Sequence, residues 1–237
     1  MSVATELTKL NTNIKNAYDE IATKGGTIPQ NKNTDNLATA ISSISGGASI
    51  DDYFMTSGNI TTASSMIKKI PDITTTSTQI SFSYLTNFTE IGNITAPNLT
   101  SISISNNSLL TSVGTITAPN ITNVSTAFSY NTSLTNGIYL DTSNCTNIRN
   151  MYFGCTNLEN VPVYDWSSAT TISDVFYNCG NLTDQALDNI LQSCITATSF
   201  TGNKFLRASM GIPYSISASR VTSCPHYAEA SALGWTI

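Results

Sequence analysis

The sequence predicts an α+β fold that is mainly β: a solenoid of 22–24-residue turns, with a helical segment before it and an α/β cap after it. Three observations predict this. GNITAPNLTSI from Gly92 is nearly rewritten as GTITAPNITNV from Gly114, 22 positions on. Leucines then recur at 24-residue intervals at Leu110, Leu134, Leu158 and Leu182. Charged residues are only 11% of the 237-residue chain, and Ser, Thr, Asn and Ile take their place, a composition that suits short strands and turns.

The repeat organises the middle of the chain. In its register the apolar positions fall into columns: Phe88 with the four leucines; Ile91, Val113 and Val161, with Gly137–Ile138 irregular; and Ile94, Ile116, Leu140 and Tyr164. Further columns hold Leu99, Ile121, Cys145 and Ala169, then Ile102, Val124, Ile148 and Ile172, then Phe128, Tyr152 and Phe176. A polar column of Asn107 and Asn131 continues as Cys155 and Cys179, which suits a tight interior slot. A turn of this length cannot bury its apolar side alone, but stacking on its neighbours closes a continuous core. The Leu-x-x-Val-x-x-Ile spacing predicts one short strand per turn. Its outward positions are Thr89 and Asn93, Thr111 and Thr115, Thr135 and Tyr139, Glu159 and Val163. If the solenoid binds a ligand, this face is expected to do so, and Thr111, Thr115, Thr135, Tyr139 and Glu159 are its candidate contacts.

The ends read differently. Leu7, Leu10, Ile14, Ala17 and Ile21 recur at alternating spacings of 3 and 4, an amphipathic helix that Gly25–Gly26 stops. This segment, within residues 1–45, is read as an attachment or oligomerisation element, either a helical hairpin or a short coiled coil. Residues 46–66 are expected to form a linker leading into the solenoid of 67–182, with the cap over 183–237. In the cap, Thr183 is the expected N-cap of a helix with Leu187, Ile190, Leu191 and Cys194 on one face. The ending YAEASALGWTI reads as a short helix, a stop at Gly234 and a final strand, with Trp235 in the core.

Chemistry is sparse. The net charge of −5 and the lack of a Lys/Arg cluster disfavour nucleic acid and anionic membrane. No apolar run reaches the ~18 residues of a membrane span, so no insertion is expected. Five cysteines, an odd number with no CxxC, argue against a disulfide framework. The single histidine, His226, has no nucleophile motif beside it and reads as a surface or turn residue. Asp141 and Asp165 stack one turn apart in a turn position. No enzyme, metal or cofactor is expected.

Two resemblances add to this. LDTSNCTNIRNMYFGCTNLENVP from Leu140 and WSSATTISDVFYNCGNLTD from Trp166 resemble the BspA-type leucine-rich repeats. The matching positions are Asp141, Thr142, Ser143, Thr146, Ile148, Met151, Cys155 and Leu158, and in the next turn Asp165, Ser167, Thr170, Ile172, Val175, Phe176, Cys179 and Leu182. The turns carrying TAPN depart from that pattern, with Thr for Asp and Asn for Cys. The resemblance, over about residues 67–182, implies a leucine-rich-repeat-like solenoid of an adhesion type. The N-terminal segment, with Asn16–Ala17–Tyr18, Lys24–Gly25–Gly26–Thr27–Ile28–Pro29 and Asn31–Lys32–Asn33, resembles a module at the start of phage and prophage structural proteins. Together they imply a non-enzymatic virion component of tail, baseplate or fibre type, assembled in the host cytoplasm. Its implied partners are other virion proteins through the N-terminal segment, a host-surface glycan or protein, and other copies of itself. The alternatives are a bacterial cell-surface adhesin and a capsid-decoration or head-fibre protein.

Overall fold

The computed structural model describes residues 14–23 and 69–237, a mixture of helix and strand. Residues 14–23 are helical (α1). Eight strands follow: β1 Lys69–Ile70, β2 Ile73–Thr74, β3 Gln79–Ser81, β4 Glu90–Ile91, β5 Ile94–Thr95, β6 Ser101–Ser103, β7 Ser112–Val113 and β8 Ile116–Thr117. They form three small parallel sheets, ordered β1-β4-β7, β2-β5-β8 and β3-β6, and no barrel closes among the described residues.

The register is that of the repeat. Ile70 pairs with Ile91 and Ile91 with Val113; Ile73 pairs with Ile94 and Ile94 with Ile116. Single bridges carry the pattern onward, from Ile116 to Leu140, from Asn136 to Asn160, and from Ser101 through Asn123 and Asn147 to Thr171. Parallel neighbours need a long connection between them. Here that connection is the remainder of each turn, which passes through the other two sheets on its way round.

The expected single strand per turn is not what forms. Ile91 and Ile94 are both buried although three residues apart. In one straight strand they would face opposite sides. The chain instead turns a corner at Gly92–Asn93, so β4 and β5 belong to different sheets. The next turn repeats the corner at Gly114–Thr115. Both corner glycines are required by contact: a Cβ on Gly114 would lie 2.7 Å from the backbone N of Asn93 and the carbonyl carbon of Gly92. This is why the two near-identical stretches each begin with glycine. The remainder of the motif is equally specific. Ile94 and Ala96 are buried, Leu99 closes a turn by donating its N–H to the Ala96 carbonyl at 3.1 Å, and Asn98 reaches the Thr76 carbonyl one turn back at 3.4 Å.

The apolar columns are the core. Phe88, Leu110, Leu134, Leu158 and Leu182 are all buried, as are the Leu99, Ile102 and Phe128 columns, while Val113 is only partly covered. A buried leucine contributes about 1.5–3 kcal/mol relative to exposure. Rings stack through the interior, Phe128 on Tyr152 at 5.4 Å and Tyr152 on Phe176 at 5.8 Å. The irregular third turn has its own solution. Ile138 donates its N–H to the Tyr152 hydroxyl at 2.8 Å, and the Tyr164 hydroxyl donates to the Ile138 carbonyl at 3.0 Å. The two hydroxyls, 2.6 Å apart, therefore serve both backbone groups of Ile138 inside the core.

The polar column is a ladder. Asn107 donates to the Phe82 carbonyl at 2.7 Å and accepts from the Leu85 N–H at 2.8 Å. Asn131 donates to the carbonyls of Ile104 (2.6 Å) and Phe128 (2.9 Å) and accepts from the Asn107 N–H at 3.0 Å. Where cysteine replaces asparagine, the thiol keeps one such bond: Cys155 to the Phe128 carbonyl at 3.1 Å and Cys179 to that of Tyr152 at 3.2 Å.

The stack ends on helices. α2 (Asp184–Thr196) starts at Thr183, whose hydroxyl accepts from the Ala186 N–H at 3.2 Å. It lays side chains along the open edge of the last turn. Ser193 accepts from the Tyr164 N–H, Thr196 accepts from the Trp166 N–H, and Asn189 donates to the Val161 carbonyl. Edge groups that a further strand would pair are paired by hydroxyls and an amide instead. Three short helices follow: α3 (Leu206–Ser209), α4 (Ala218–Thr222) and α5 (Tyr227–Ala232). Trp235, after the positive-φ Gly234, is fully buried and donates to the Cys194 carbonyl at 3.0 Å. The final strand is reduced to one bridge, Phe205 with Thr236.

Candidate functional site

The five residues expected to form a binding face are on the surface, but not on one face of one strand. Thr111, Thr115, Tyr139 and Glu159 are exposed and Thr135 is half-buried. Thr111, Thr135 and Glu159 share a column just before the first sheet, joined by backbone bonds: Thr111 to Thr89, Glu159 to Thr135 and Thr183 to Glu159, each 2.9 Å. Thr115 and Tyr139 sit in the next column, at the corner between two sheets. There the Thr115 N–H donates to the Asn93 side chain at 3.0 Å. The corner separates the two columns that a single strand would have aligned. Several hydroxyls are already committed, Thr111 donating to the Thr89 carbonyl at 3.0 Å and Thr135 accepting from Asn136 at 3.1 Å. The apolar part of this region is Tyr139, 68% exposed, beside Val163, 47% exposed, in the corner column.

Two surface features were not picked out by the column reading. The first is an unbroken threonine row, Thr78, Thr100, Thr122, Thr146 and Thr170, all exposed. Each of the last four donates both its N–H and its hydroxyl to the carbonyl of the threonine one turn back. The second is an aromatic row, with Tyr130 against Phe153 at 5.3 Å and Phe153 stacked on Tyr177 at 4.7 Å. Both were readable in principle, because their members recur at 22–24 residues. They lie outside the columns that an apolar-core pattern selects.

The cysteines, His226, Asp188 and Asp141 are tied into the fold. All five cysteines are free and buried. Burial pushes the Cys145 and Cys155 thiols up to about 12, the opposite of an activated nucleophile. His226 lies in the turn that opens α5. It is half-buried, its ring Nδ1 lies 2.8 Å from Asp188 Oδ2, and its N–H donates to Asp188 Oδ1 at 2.9 Å. Burial pushes the Asp188 carboxyl up, but bonds from the His226 backbone and ring and from Gln192 outweigh that and hold it below the usual value. The pair ties α5 to α2. Asp141 is also held low, mainly by the Ser143 N–H. Among the described residues, no three of His, Cys, Asp and Glu gather as a metal site, and no helix is long and apolar enough to cross a membrane.

Of the N-terminal stripe, Leu7 and Leu10 lie outside the described residues. Ile21 is buried and Ile14 and Ala17 are half-buried. Tyr18, which the stripe omitted, is fully buried beside them. The covered face of α1 is therefore centred on Tyr18 and Ile21.

Residues 97–205, just under half of the chain, match a family described as Mycoplasma protein of unknown function, DUF285. The matched stretch runs from the TAPN turn through α2 to the start of α3. Comparison with curated proteins found no match, and comparison with solved structures found none.

Proposed function

We propose that the stacked turns form a leucine-rich-repeat-like solenoid, and that the chain is a non-enzymatic structural protein of a phage virion. In this reading it belongs to the tail, baseplate or a fibre-like appendage, is attached through its N-terminal segment to other virion proteins, and turns the solenoid towards the host surface. The observation that carries the reading is the register itself. The turns stack in parallel at 21–24-residue intervals and repeat their outward side chains, so the chain builds a ruled surface rather than a cleft. The buried thiols and the His226–Asp188 pair are absorbed in holding that stack and its cap together. The N-terminal resemblance supports the virion assignment.

A second reading is a bacterial cell-surface adhesin; the family match, described from Mycoplasma proteins of unknown function, is compatible with a bacterial source. A capsid-decoration or head-fibre role is a variant of the first. Mass spectrometry of density-banded particles induced from the source culture separates them. Stoichiometric recovery in particles is expected; recovery only in the cell envelope would replace the phage reading with the adhesin.

A further inference from the structure

At one step of every turn the chain sets two consecutive residues beside the matching pair of the next turn; Tyr84, Tyr130, Tyr177 and Asn178 are exposed, Ser83, Asn106 and Phe153 half-buried, and Ser105, Ser129 and Gly154 buried. The pairs are Ser83–Tyr84, Ser105–Asn106, Ser129–Tyr130, Phe153–Gly154 and Tyr177–Asn178. Backbone bonds align them, from the Tyr84 N–H to Ser105, Asn106 to Ser129, Tyr130 to Phe153 and Gly154 to Tyr177. Four of the five turns carry one ring at this step, and the second turn carries none.

The second residue of each pair is left-handed, with φ of 64°, 59°, 57°, 76° and 63°. Glycine and asparagine take this conformation readily, whereas a tyrosine does so against steric resistance. Burial does not offset that resistance at Tyr84, which is 74% exposed. Tyr130 is 49% exposed, and its ring lies across Gly154, where a Cβ would come within 2.7 Å of it. Strain held without a packing return points to a role outside stability.

The rings from Tyr130 to Tyr177 cover one another. On the far side of Tyr130 the row is interrupted, and Tyr84 resumes it two turns away, about 10 Å at the usual strand spacing. That interval holds a polar floor. Asn106 donates to the Ser105 hydroxyl at 3.3 Å, and Ser83 lies 2.9 Å from Ser103 and 3.0 Å from Ser105. No charged residue occurs in Ser81–Asn87, Ser103–Leu109 or Ala127–Ser133.

We infer that this notch, with Tyr84 and Tyr130 as walls and the half-buried Asn106 and Ser83 as floor, binds one sugar ring of a neutral glycan. The tyrosine rings meet the C–H faces of the sugar, and the Asn106 amide and Ser83 hydroxyl meet its hydroxyls, while buried Ser105 holds both in place. Those three stretches offer an anionic polymer no counter-charge. The inference rests on the reading of the chain as a surface-display protein.

The test uses the full chain on an array of neutral hexose and N-acetylhexosamine oligomers, with sulfated and sialylated glycans as charged comparators. Asn106→Tyr fills the notch with a residue the same column already holds at 84 and 130. Tyr84→Asn removes a wall using a residue the column holds at 106 and 178. Binding to a neutral glycan is expected, weakened at least about tenfold in either variant, with the melting temperature of Tyr84→Asn no lower than that of the parent. Binding to charged glycans alone, to none of the neutral ones, or equally by parent and both folded variants overturns the inference. Recovery of the chain in virions is a separate result, so the notch can fail while the display reading stands.

Discussion

Asn131 tests the interior with one substitution. Its side chain is fully buried and bonds three backbone groups: the carbonyls of Ile104 and Phe128 and the N–H of Asn107. Leucine in its place would leave the Phe128 carbonyl with the Cys155 thiol at 3.1 Å. The Ile104 carbonyl and the Asn107 N–H would lose their side-chain partner in a dry core. An orphaned buried group costs about 1–3 kcal/mol, so Asn131→Leu should lose about 2–6 kcal/mol. That is a large share of a domain's ~5–15 kcal/mol. Asn131→Cys should lose about half as much, because a thiol there can donate to Ile104 as Cys155 donates to Phe128. Urea unfolding followed by circular dichroism gives both values, provided the slopes match the parent's. A leucine variant within about 0.5 kcal/mol of the parent, or a cysteine variant worse than leucine, would refute the ladder as an energetic element.

Three further outcomes are expected. Leu134→Ala should cost about 2–5 kcal/mol by the same assay, since the side chain is buried within its column; an unchanged midpoint would contradict the register. Asp188 is held below its ordinary value of 3.8, so its contribution is complete above that pH and is lost as pH falls through the lowered value; melting scans into acid should show a stability loss that Asp188→Asn lacks. In native protein at neutral pH a disulfide reagent should label neither Cys145 nor Cys155, both raised to about 12, whereas all five thiols should react in denaturant.

The period was legible because each turn repeats its inward residues. Phe88, Leu110 and Leu134 announce their column without help from any other part of the chain. The corner between β4 and β5 was not legible. Ile91 and Ile94 are three apart, a spacing that fits a helix face or a bend as well as a strand, and only their shared burial decides. Thr183 and the Leu187–Cys194 face of α2 could be read from local capping and periodicity. The Asp188–His226 pair could not, because its partners lie 38 residues apart and neither has a repeating neighbour. The left-handed step was hidden for a different reason. Asn106, Gly154 and Asn178 advertise it, but Tyr84 and Tyr130 disguise it, and those two residues define the proposed notch.

The two ends of the stack differ in a way that bears on how such a chain can change length. At the α2 end Ser193, Thr196 and Asn189 bond the backbone of Tyr164, Trp166 and Val161, groups that a further turn would otherwise pair. Inside the stack, each turn presents its neighbour with the same parallel edge it receives. Copying one 22-residue unit, the interval between the near-identical stretches at Gly92 and Gly114, lengthens the molecule by about 4.8 Å and leaves the terminus unchanged. The gene can thus adjust reach in fixed increments, like adding links between a fixed hook and a fixed handle.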